Sequence, residues 1–594
     1  MVRRFLCTTA LEETWRDNEP VLFLGEWCRR HSREDRWSIM DAEVLPYHWD
    51  DRARLSADYK CLQELHERLL RELATDLNQM HGVEHSLRYW RILIGPWLGY
   101  FVQMLFDRWV CIQRAVSEHD LSGTVVLFGS EETMVPNDMA EFPRLFVGDE
   151  WNHHVFGTIL QKFTRVKCIS HSRPVSQGPP GVAKARWKRQ VNQAFVRWYS
   201  RGASALSGDR DAFLLSTYLP LFDGMRVQRL LRQAPQMWRS ISATRVSVDI
   251  TKRRWVVSGE CRSEFEVCAR TLIPTQMPTL YLEGYGRLVE QARSLPWPGR
   301  PKVIWTSSAH NTDDVFKAWA AEKVERGSPL VIGQHGGHYG VGRWSFTEDH
   351  DIAICDGYLS WGWSDPRRDN VKPVGQLKAK RPLNVRHATL SRALLVTCSM
   401  PRLSYWMYSA PVSRQWLDYF SDQCLFVASL PRSIRDALIV RLYPDDYGWD
   451  QALRWREQFP DLHVDQGESK INDLIRQSRL YISTYNATTF LESFTMNVPT
   501  VIYWNPRYWE LRDCAEPYFD ELRRVGIYHE TPESAAQHVA AIWNDVDAWW
   551  GSAPVRAVLD RFVQQYCRLP DDLLGSVAKA IREVINNADK ATTQ

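Results

Sequence analysis

Short apolar runs alternate with longer segments of helical periodicity along the whole chain. This is the pattern of parallel sheets covered by helices. In the first half, Arg4–Thr8, Val21–Leu24, Thr124–Phe128, Lys302–Thr306, Leu330–Gly333 and Ile352–Ile354 predict strands, and Tyr59–Met80 and Ser86–Val116 predict helices. The most apolar stretch, Ile92–Val102, lies between Arg91 and Gln103; it is too short to span a bilayer and reads as buried helix. Ser170–Ala185 is rich in Ser, Pro and Gly and predicts a long loop. The basic stretch 186–250 predicts helix, so that about 170–290 is expected to be a helical insertion. Lys372–Arg392 is basic and poor in large apolar residues, and it marks the expected domain boundary.

A second alternating series follows that boundary. Ala393–Cys398, Ala437–Leu442, Leu462–Val464, Leu480–Ser483 and Thr500–Tyr503 predict strands, and Gln537–Ile585 predicts terminal helices. The expected fold is therefore α/β and GT-B-like: two Rossmann-like domains, 1–380 and 390–594, facing an interdomain cleft. Ligands of open α/β sheets sit beyond the carboxyl ends of the strands, so residues just after strands are the site candidates.

Composition narrows the classes. With 594 residues the chain is too long for one ordinary core. Lys plus Arg number 74 against 71 for Asp plus Glu, a net charge of +3. That balance does not call for nucleic acid. It is compatible with anionic donors and with peripheral contact at the cytoplasmic face of an inner membrane. The 12 cysteines are scattered without a C-x-x-C pair, which fits a reducing, cytoplasmic compartment and speaks against a zinc site. The start of the chain lacks a long apolar core, so no secretory signal is expected. The 27 tryptophans fit aromatic packing, with a few left to stack on sugars. There is no P-loop, no G-x-G-x-x-G after a strand and no G-x-S-x-G elbow, so ATP hydrolysis, NAD chemistry and an elbow serine have no support.

The strongest local signal is Leu480–Trp504. An apolar strand ends in Ser483 and Thr484, and Asn486 is expected to cap the helix that follows. Ala487, Phe490, Leu491 and Phe494 form its buried face. A helix N-terminus offers unpaired N–H donors and partial positive charge, which suit a phosphate. Ser483, Thr484, Thr488 and Thr489 add hydroxyls, and Glu492 could accept from a ribose. The alternative is an ordinary β-α-β unit with a polar cap. The second signal is Arg441–Asp445, where Arg441 is expected to reach the cleft and grip a phosphate with two parallel bonds, or else to pair with Asp445 or Asp446. The third is Val331–Gly340, in which Gln334, His335 and His338 sit among glycines that permit close ligand approach; His335 is a candidate base. His335 and His338 lack an evident third ligand, so no metal is expected. Weaker candidates are Thr8, Thr9 and Glu13 after the first strand, Ser399 and Arg402 after Ala393–Cys398, Glu468, and the polar-aromatic run Trp151–His154 with Asn152 and His153.

These pieces also carry a resemblance. Cys7–Trp15, Leu22–Cys28, Tyr89–Leu98, Asp149–His154, Gly333–Gly340, Arg441–Trp449 and Ser483–Pro506 resemble a transferase family of bacterial O-antigen and surface-polysaccharide clusters, over about residues 4–565. More distantly, the second half is similar to capsule and Kdo transferases and to polymer glycerophosphotransferases. Those share a His-Gly turn late in the first domain, a basic-plus-Pro motif after a strand and a Ser/Thr-rich turn before a helix. In the Kdo and sialic-acid enzymes the basic-Pro pair is His-Pro and contacts a CMP donor; here the stretch runs from Arg441 to Pro444.

The resemblance implies a metal-independent GT-B glycosyltransferase without cofactor. Its partners would be a nucleotide-sugar donor, with CMP-linked ulosonic acid as one candidate, and a glycan or lipid-linked glycan acceptor of O-antigen, lipopolysaccharide or capsule type. Its rivals are a CDP-alditol phosphotransferase, a nucleotide-sugar epimerase and a non-catalytic assembly protein. On this reading His335, Glu13 and Arg441 are catalytic. Ser399, Arg402, Arg441, Tyr443, Ser483, Thr484, Asn486, Thr488, Thr489 and Glu492 hold the donor, and Thr9, Asn152, His153 and Gln334 face the acceptor.

Overall fold

The computed structural model describes residues 2–129, 131–172, 208–378, 390–404 and 406–593. Three all-parallel sheets organise them. The first holds β1 (Arg4–Cys7), β2 (Val21–Phe23), β3 (Ala42–Val44), β4 (Leu121–Phe128) and β5 (Cys168–Ser172), in the order β3-β2-β1-β4-β5. The second holds β6 (Phe213–Leu215), β7 (Ile304–Thr306), β8 (Leu330–Gly333), β9 (Gly357–Ser360) and β10 (Val371–Pro373), ordered β10-β9-β8-β7-β6. The third holds β11 (Arg392–Val396), β12 (Leu438–Arg441), β13 (His463–Asp465), β14 (Ser478–Ser483), β15 (Thr500–Tyr503) and β16 (Tyr528–His529), ordered β13-β12-β11-β14-β15-β16. The central strands of the second and third sheets are buried along their whole length, which is why they read as short, mostly apolar runs without polar alternation.

The third sheet follows the Rossmann order, in which the strand sequence reverses between its first and fourth members, β11 and β14. A crevice opens at such a reversal. The first sheet reverses in the same way between β1 and β4, so the topology directs attention to the residues after Cys7 and Phe128 as well as to those after Val396 and Ser483. The second sheet runs monotonically and has no reversal. Its carboxyl edge meets the carboxyl edge of β14, and this opposition of two parallel sheets makes the molecule GT-B-like.

The first half departs from the expected single Rossmann-like domain, since it contains two separate five-stranded sheets. Nor is the whole of 170–290 a helical insertion: β6 pairs with β7 as an integral strand. Within 208–250 the only α-helix is Leu221–Leu230, and 173–207 lie outside the described residues, as does most of the expected boundary segment, 379–389. Ile352–Ile354, expected as a strand, ends the helix Phe346–Ile354. Ser345 accepts from Glu348 N there, an S-x-x-E start signal that outweighs the short apolar run.

The helix Leu87–Glu118 joins the first two sheets. It is buried on all sides through Ile92–Val102 and packs against the helices Arg52–His81 and Asp314–Glu325. A Cβ at Gly99 would collide with the Phe346 ring, so the glycine allows close approach of the helix that carries Asp351. At the other end of the chain, Leu573–Thr593 crosses back to the second sheet, where Val577, Ala578, Ile581 and Val584 share one core with Val303, Val331 and Leu359. The terminal helix therefore belongs to the packing of the first half. Buried ion pairs close the remaining contacts: Arg402 with Asp149 at 2.6 Å and Arg512 with Glu348 at 2.6 Å.

Candidate functional site

The turn after β14 carries the polar residues expected of it, in a geometry that differs at the cap. Ala487, not Asn486, is the N-cap of the helix Thr488–Thr495, and no side chain caps it. Its first-turn N–H groups are therefore left for another partner. Asn486 is 2% exposed, yet neither Oδ1 nor Nδ2 has a hydrogen-bond partner. A buried amide with both ends unsatisfied costs about 1–3 kcal/mol per group, a cost a bound ligand would remove. Tyr481 Oη is likewise buried and unpartnered. Thr489 Oγ1 donates to Tyr485 Oη at 3.0 Å, and Thr484 Oγ1 donates to Val396 O at 3.0 Å across the β11/β14 reversal. Ser483 Oγ donates to Tyr485 O at 3.3 Å. Phe490, Leu491 and Phe494 form the buried face.

This turn touches the glycine turn after β8. Gly337 N donates to Thr488 Oγ1 at 3.1 Å. A Cβ on Gly337 would lie 2.6 Å from the Ala487 carbonyl, so only glycine admits this approach. Beside it stands a buried polar cluster. Asp351 Oδ1 meets His310 Nε2 at 2.7 Å, and Asp351 Oδ2 lies 3.6 Å from His335 Nδ1. His335 Nε2 meets Tyr339 Oη at 3.1 Å. Three atoms of this cluster, His310 Nδ1, His335 Nδ1 and Asp351 Oδ2, have no hydrogen-bond partner. Burial pushes His335 down to about 4 against the opposing pull of Asp351, and pushes His338 down to about 3. Both rings are thus neutral at physiological pH, as a proton acceptor must be.

Gln334 is fully buried and committed to this scaffold. Its Nε2 donates to Gly336 O at 2.8 Å, and its Oε1 accepts from Trp361 N at 2.9 Å and Trp363 Nε1 at 2.8 Å. It shapes the His turn rather than facing an acceptor.

Lys378 was not singled out in the sequence. Its Nζ lies 3.4 Å from His335 O and 3.9 Å from the Tyr218 ring centroid. Desolvation lowers its pKa while Glu492 opposes the shift. The ammonium therefore sits among the His turn, β6's exit and the helix Thr488–Thr495. Its neighbours in sequence are unremarkable, and only the fold reveals its position.

Other expectations are corrected. Arg441 is 8% exposed and does not reach the crevice: Nη1 pairs with Asp465 at 3.0 Å and donates to Leu442 O, and Nη2 donates to Ser469 O at 3.1 Å. The cause is register, because Arg441 lies opposite Asp465 in the parallel β12/β13 pair. Arg402 is a buried clamp on Asp149, Trp27 O and Tyr447 O. Asn152 accepts twice from Arg108 and donates to Phe146 O and Gly148 O, so its amide is saturated. Both His153 nitrogens are engaged, with Thr8 Oγ1 and with Leu127 N, each at 3.0 Å. Neither residue has a polar atom to offer a sugar.

Thr9 is fully buried with Oγ1 unpartnered. Glu13 is exposed on the turn Glu12–Thr14 beyond β1, in the first sheet rather than the second, which carries His335. Ser399 reaches Asp446 O at 3.5 Å, and Tyr443 stacks on Tyr447. Among the described residues one group of metal-ligand types clusters, His48, Asp107 and Cys111. Asp107 there already accepts from Tyr47 and Arg108.

Residues 4–581 match the model of the LIC12162 family transferase, and the chain belongs to that family. No curated protein sequence matches it. Among solved structures it is similar to Acinetobacter baumannii MurG, with a TM-score of 0.30 and 10% identity, covering 64% of this chain and 99% of that one. It is also similar to the wall teichoic acid polymerase TagF, with a TM-score of 0.32 and 9% identity over 69% and 100% of the two chains. A UDP-N-acetylglucosamine 2-epimerase gives 0.31 and 11% over 63% and 94%. At such scores these likenesses add nothing to the assignment of activity. No helix among the described residues is long and apolar enough to cross a membrane.

Proposed function

We propose that this member of the transferase family is a glycosyltransferase that moves a sugar from a nucleotide-activated donor, CMP-linked ulosonic acid being one candidate, to an O-antigen, lipopolysaccharide or capsule precursor. The observation that carries the proposal is the turn Asn486–Thr488: an uncapped helix start with an unpartnered buried amide, at the strand-order reversal and against the His turn of the opposite sheet. In this reading the donor phosphate takes the first-turn N–H groups and the Asn486 amide, displacing Gly337 N from Thr488. Lys378 supplies the positive charge expected of Arg441. Fixed donors and a cation at the leaving phosphate stabilise the charge that grows as the glycosidic bond breaks. The acceptor hydroxyl takes the place of Tyr339 at His335 Nε2 and gives up its proton there, while Asp351 faces the opposite ring nitrogen and stabilises the imidazolium that forms. The contact of the two edges excludes water that would hydrolyse the donor. No step requires a metal.

A thermal-shift screen with CMP, CDP, UDP, GDP and dTDP tests the donor site, since a ligand specific for the folded state raises Tm by mass action. One nucleotide is expected to stabilise the wild type and to fail with Asn486→Leu. If no nucleotide shifts Tm, the donor proposal falls. Once the nucleotide is known, product analysis separates sugar transfer from its rival, because phosphorus in the product marks alditol-phosphate transfer.

A further inference from the structure

A second opening lies at the far end of the short helix that carries His310. Ala309–Thr312 holds His310 against Asp351, and its last residue, Thr312, with Asp313 just after it, lines a cavity of about 400 Å³. This is within the roughly 300–1,000 Å³ of small-molecule sites. Its other walls come from the turn before the helix Phe142–Phe146 and from 240–245. Asp313 Oδ1 caps the helix Asp314–Glu325 by accepting from Phe316 N at 3.0 Å, while Oδ2 is buried without a hydrogen-bond partner. Desolvation raises Asp313 to about 6, against the opposing pull of the Phe316 N–H and the adjacent Ser240 hydroxyl. Among the described residues the exposed Arg144 guanidinium at the rim has no hydrogen bond or ion pair. Arg245 reaches Glu141 at 3.2 Å and is itself largely exposed.

The chemistry of the walls selects the ligand class. No aromatic or large aliphatic face is present apart from Ile241, which disfavours a lipid or a planar base. Carboxylates on three sides (Asp138, Glu141 and Asp313) disfavour a phosphate. Two arginines at the rim disfavour a bare cation, and Asp138 and Glu141 already spend oxygens on backbone N–H groups of Glu141 and Asn137. What remains is a neutral ligand rich in hydroxyls, which can donate to Asp313 Oδ2 and accept from Arg144 and the Ser240 hydroxyl.

We propose that this cavity is a carbohydrate-binding subsite, separate from the reacting centre, that holds a neutral sugar unit of the glycan acceptor. The inference rests on the glycosyltransferase reading for the word acceptor, but the sugar site itself can be tested alone. Saturation-transfer NMR is run on the full-length protein with millimolar methyl pyranosides of glucose, galactose, mannose, rhamnose and N-acetylglucosamine. At least one is expected to receive saturation. Its affinity should fall about tenfold in Asp313→Asn, which keeps the helix cap, and in Arg144→Ala, the loss typical of one hydrogen bond to a charged group. Nucleotide-induced Tm shifts should be unchanged in both variants, so failure of the donor site and failure of this site give different results. The proposal is overturned if no glycoside binds, if binding survives both substitutions, or if millimolar Ca²⁺ rather than any glycoside gives the response that Asp313→Asn removes.

Discussion

The carboxyl edges of the first and second sheets are both polar, but their hydrogen bonding differs. At the first, Asn152 is saturated by Arg108, Phe146 and Gly148, and both His153 nitrogens are used by Thr8 and Leu127, while Thr9 Oγ1 and His48 Nε2 are scattered buried atoms without a partner. At the second, His310, His335 and Asp351 bury three polar atoms that have no partner. Buried polar groups in folded proteins are almost always satisfied, so the exceptions carry information. What separates the edges is clustering: the unpartnered atoms of the second belong to three side chains in mutual contact, which is the basis of the site proposed there. Polar residue type does not distinguish them, since DEWNHH and GQHGGHYG look equally chemical as sequence.

That contrast can be broken most sharply from the structural side. Arg108 is wholly buried with Asp107 as its ion-pair partner. Arg108→Met should cost about 3–5 kcal/mol by stranding a buried carboxylate, read as a fall in the urea midpoint or as loss of folded protein. His335→Ala should do the reverse, leaving the midpoint close to wild type while lowering transfer roughly 10²- to 10⁴-fold, the range of general-base catalysis. Asp351→Asn should lower transfer less, about tenfold to a hundredfold, and should alter the ¹⁵N signals of His335 that report its tautomer. Equal stability losses in Arg108→Met and His335→Ala would erase the distinction. The next effect separates two cations. Lys378→Met should weaken nucleotide binding by roughly tenfold or more, whereas Arg441→Ala should leave binding intact and cost about 2–3 kcal/mol of stability.

The same residues explain how much of the molecule the sequence discloses. The third sheet was legible almost strand by strand, because each strand is a buried run closed by a turn. The helix face Phe490, Leu491 and Phe494 and the left-handed Asn497 at that helix's end follow from spacing and from Asn's tolerance of positive φ. The split of the first half into two sheets was hidden, since β6, β9 and β10 are three or four residues long and make no periodic signal. Arg441 was misread because its partner Asp465 arrives only through strand register. Lys378 and His310 were missed because their neighbours in space come from distant strands. The His-Gly turn and the Ser483–Thr489 turn were found because glycine and small hydroxyl residues mark backbone that comes close to something.

The smallest effect concerns pH, and it sharpens the contrast from the protein as a whole. His335 and His48 are both pushed down to about 4, and His338 to about 3, in each case mainly by burial. An unfolded histidine titrates near 6.5, so between about 6.5 and 4 the unfolded chain binds more protons than the folded one. Stability from these rings is fully present above about 6.5 and is lost progressively as pH falls through about 4. His48 lies beyond β3, 3.6 Å from Asp107 and with Nε2 unpartnered, in the first sheet rather than at the contact between the turns after β8 and β14. His335 faces the crevice, so a donor occupying it adds a phosphate charge near the ring and should draw its titration upward. Urea midpoints measured from pH 7.5 to 4.5 should therefore fall in the wild type, and the fall should be shallower in His335→Gln and in His48→Gln alike. Saturating the nucleotide that passes the thermal-shift screen should change the slope through His335 only. A ligand that altered the slope equally in His335→Gln and in wild type would place the phosphate away from that ring and remove His335 from the reacting centre.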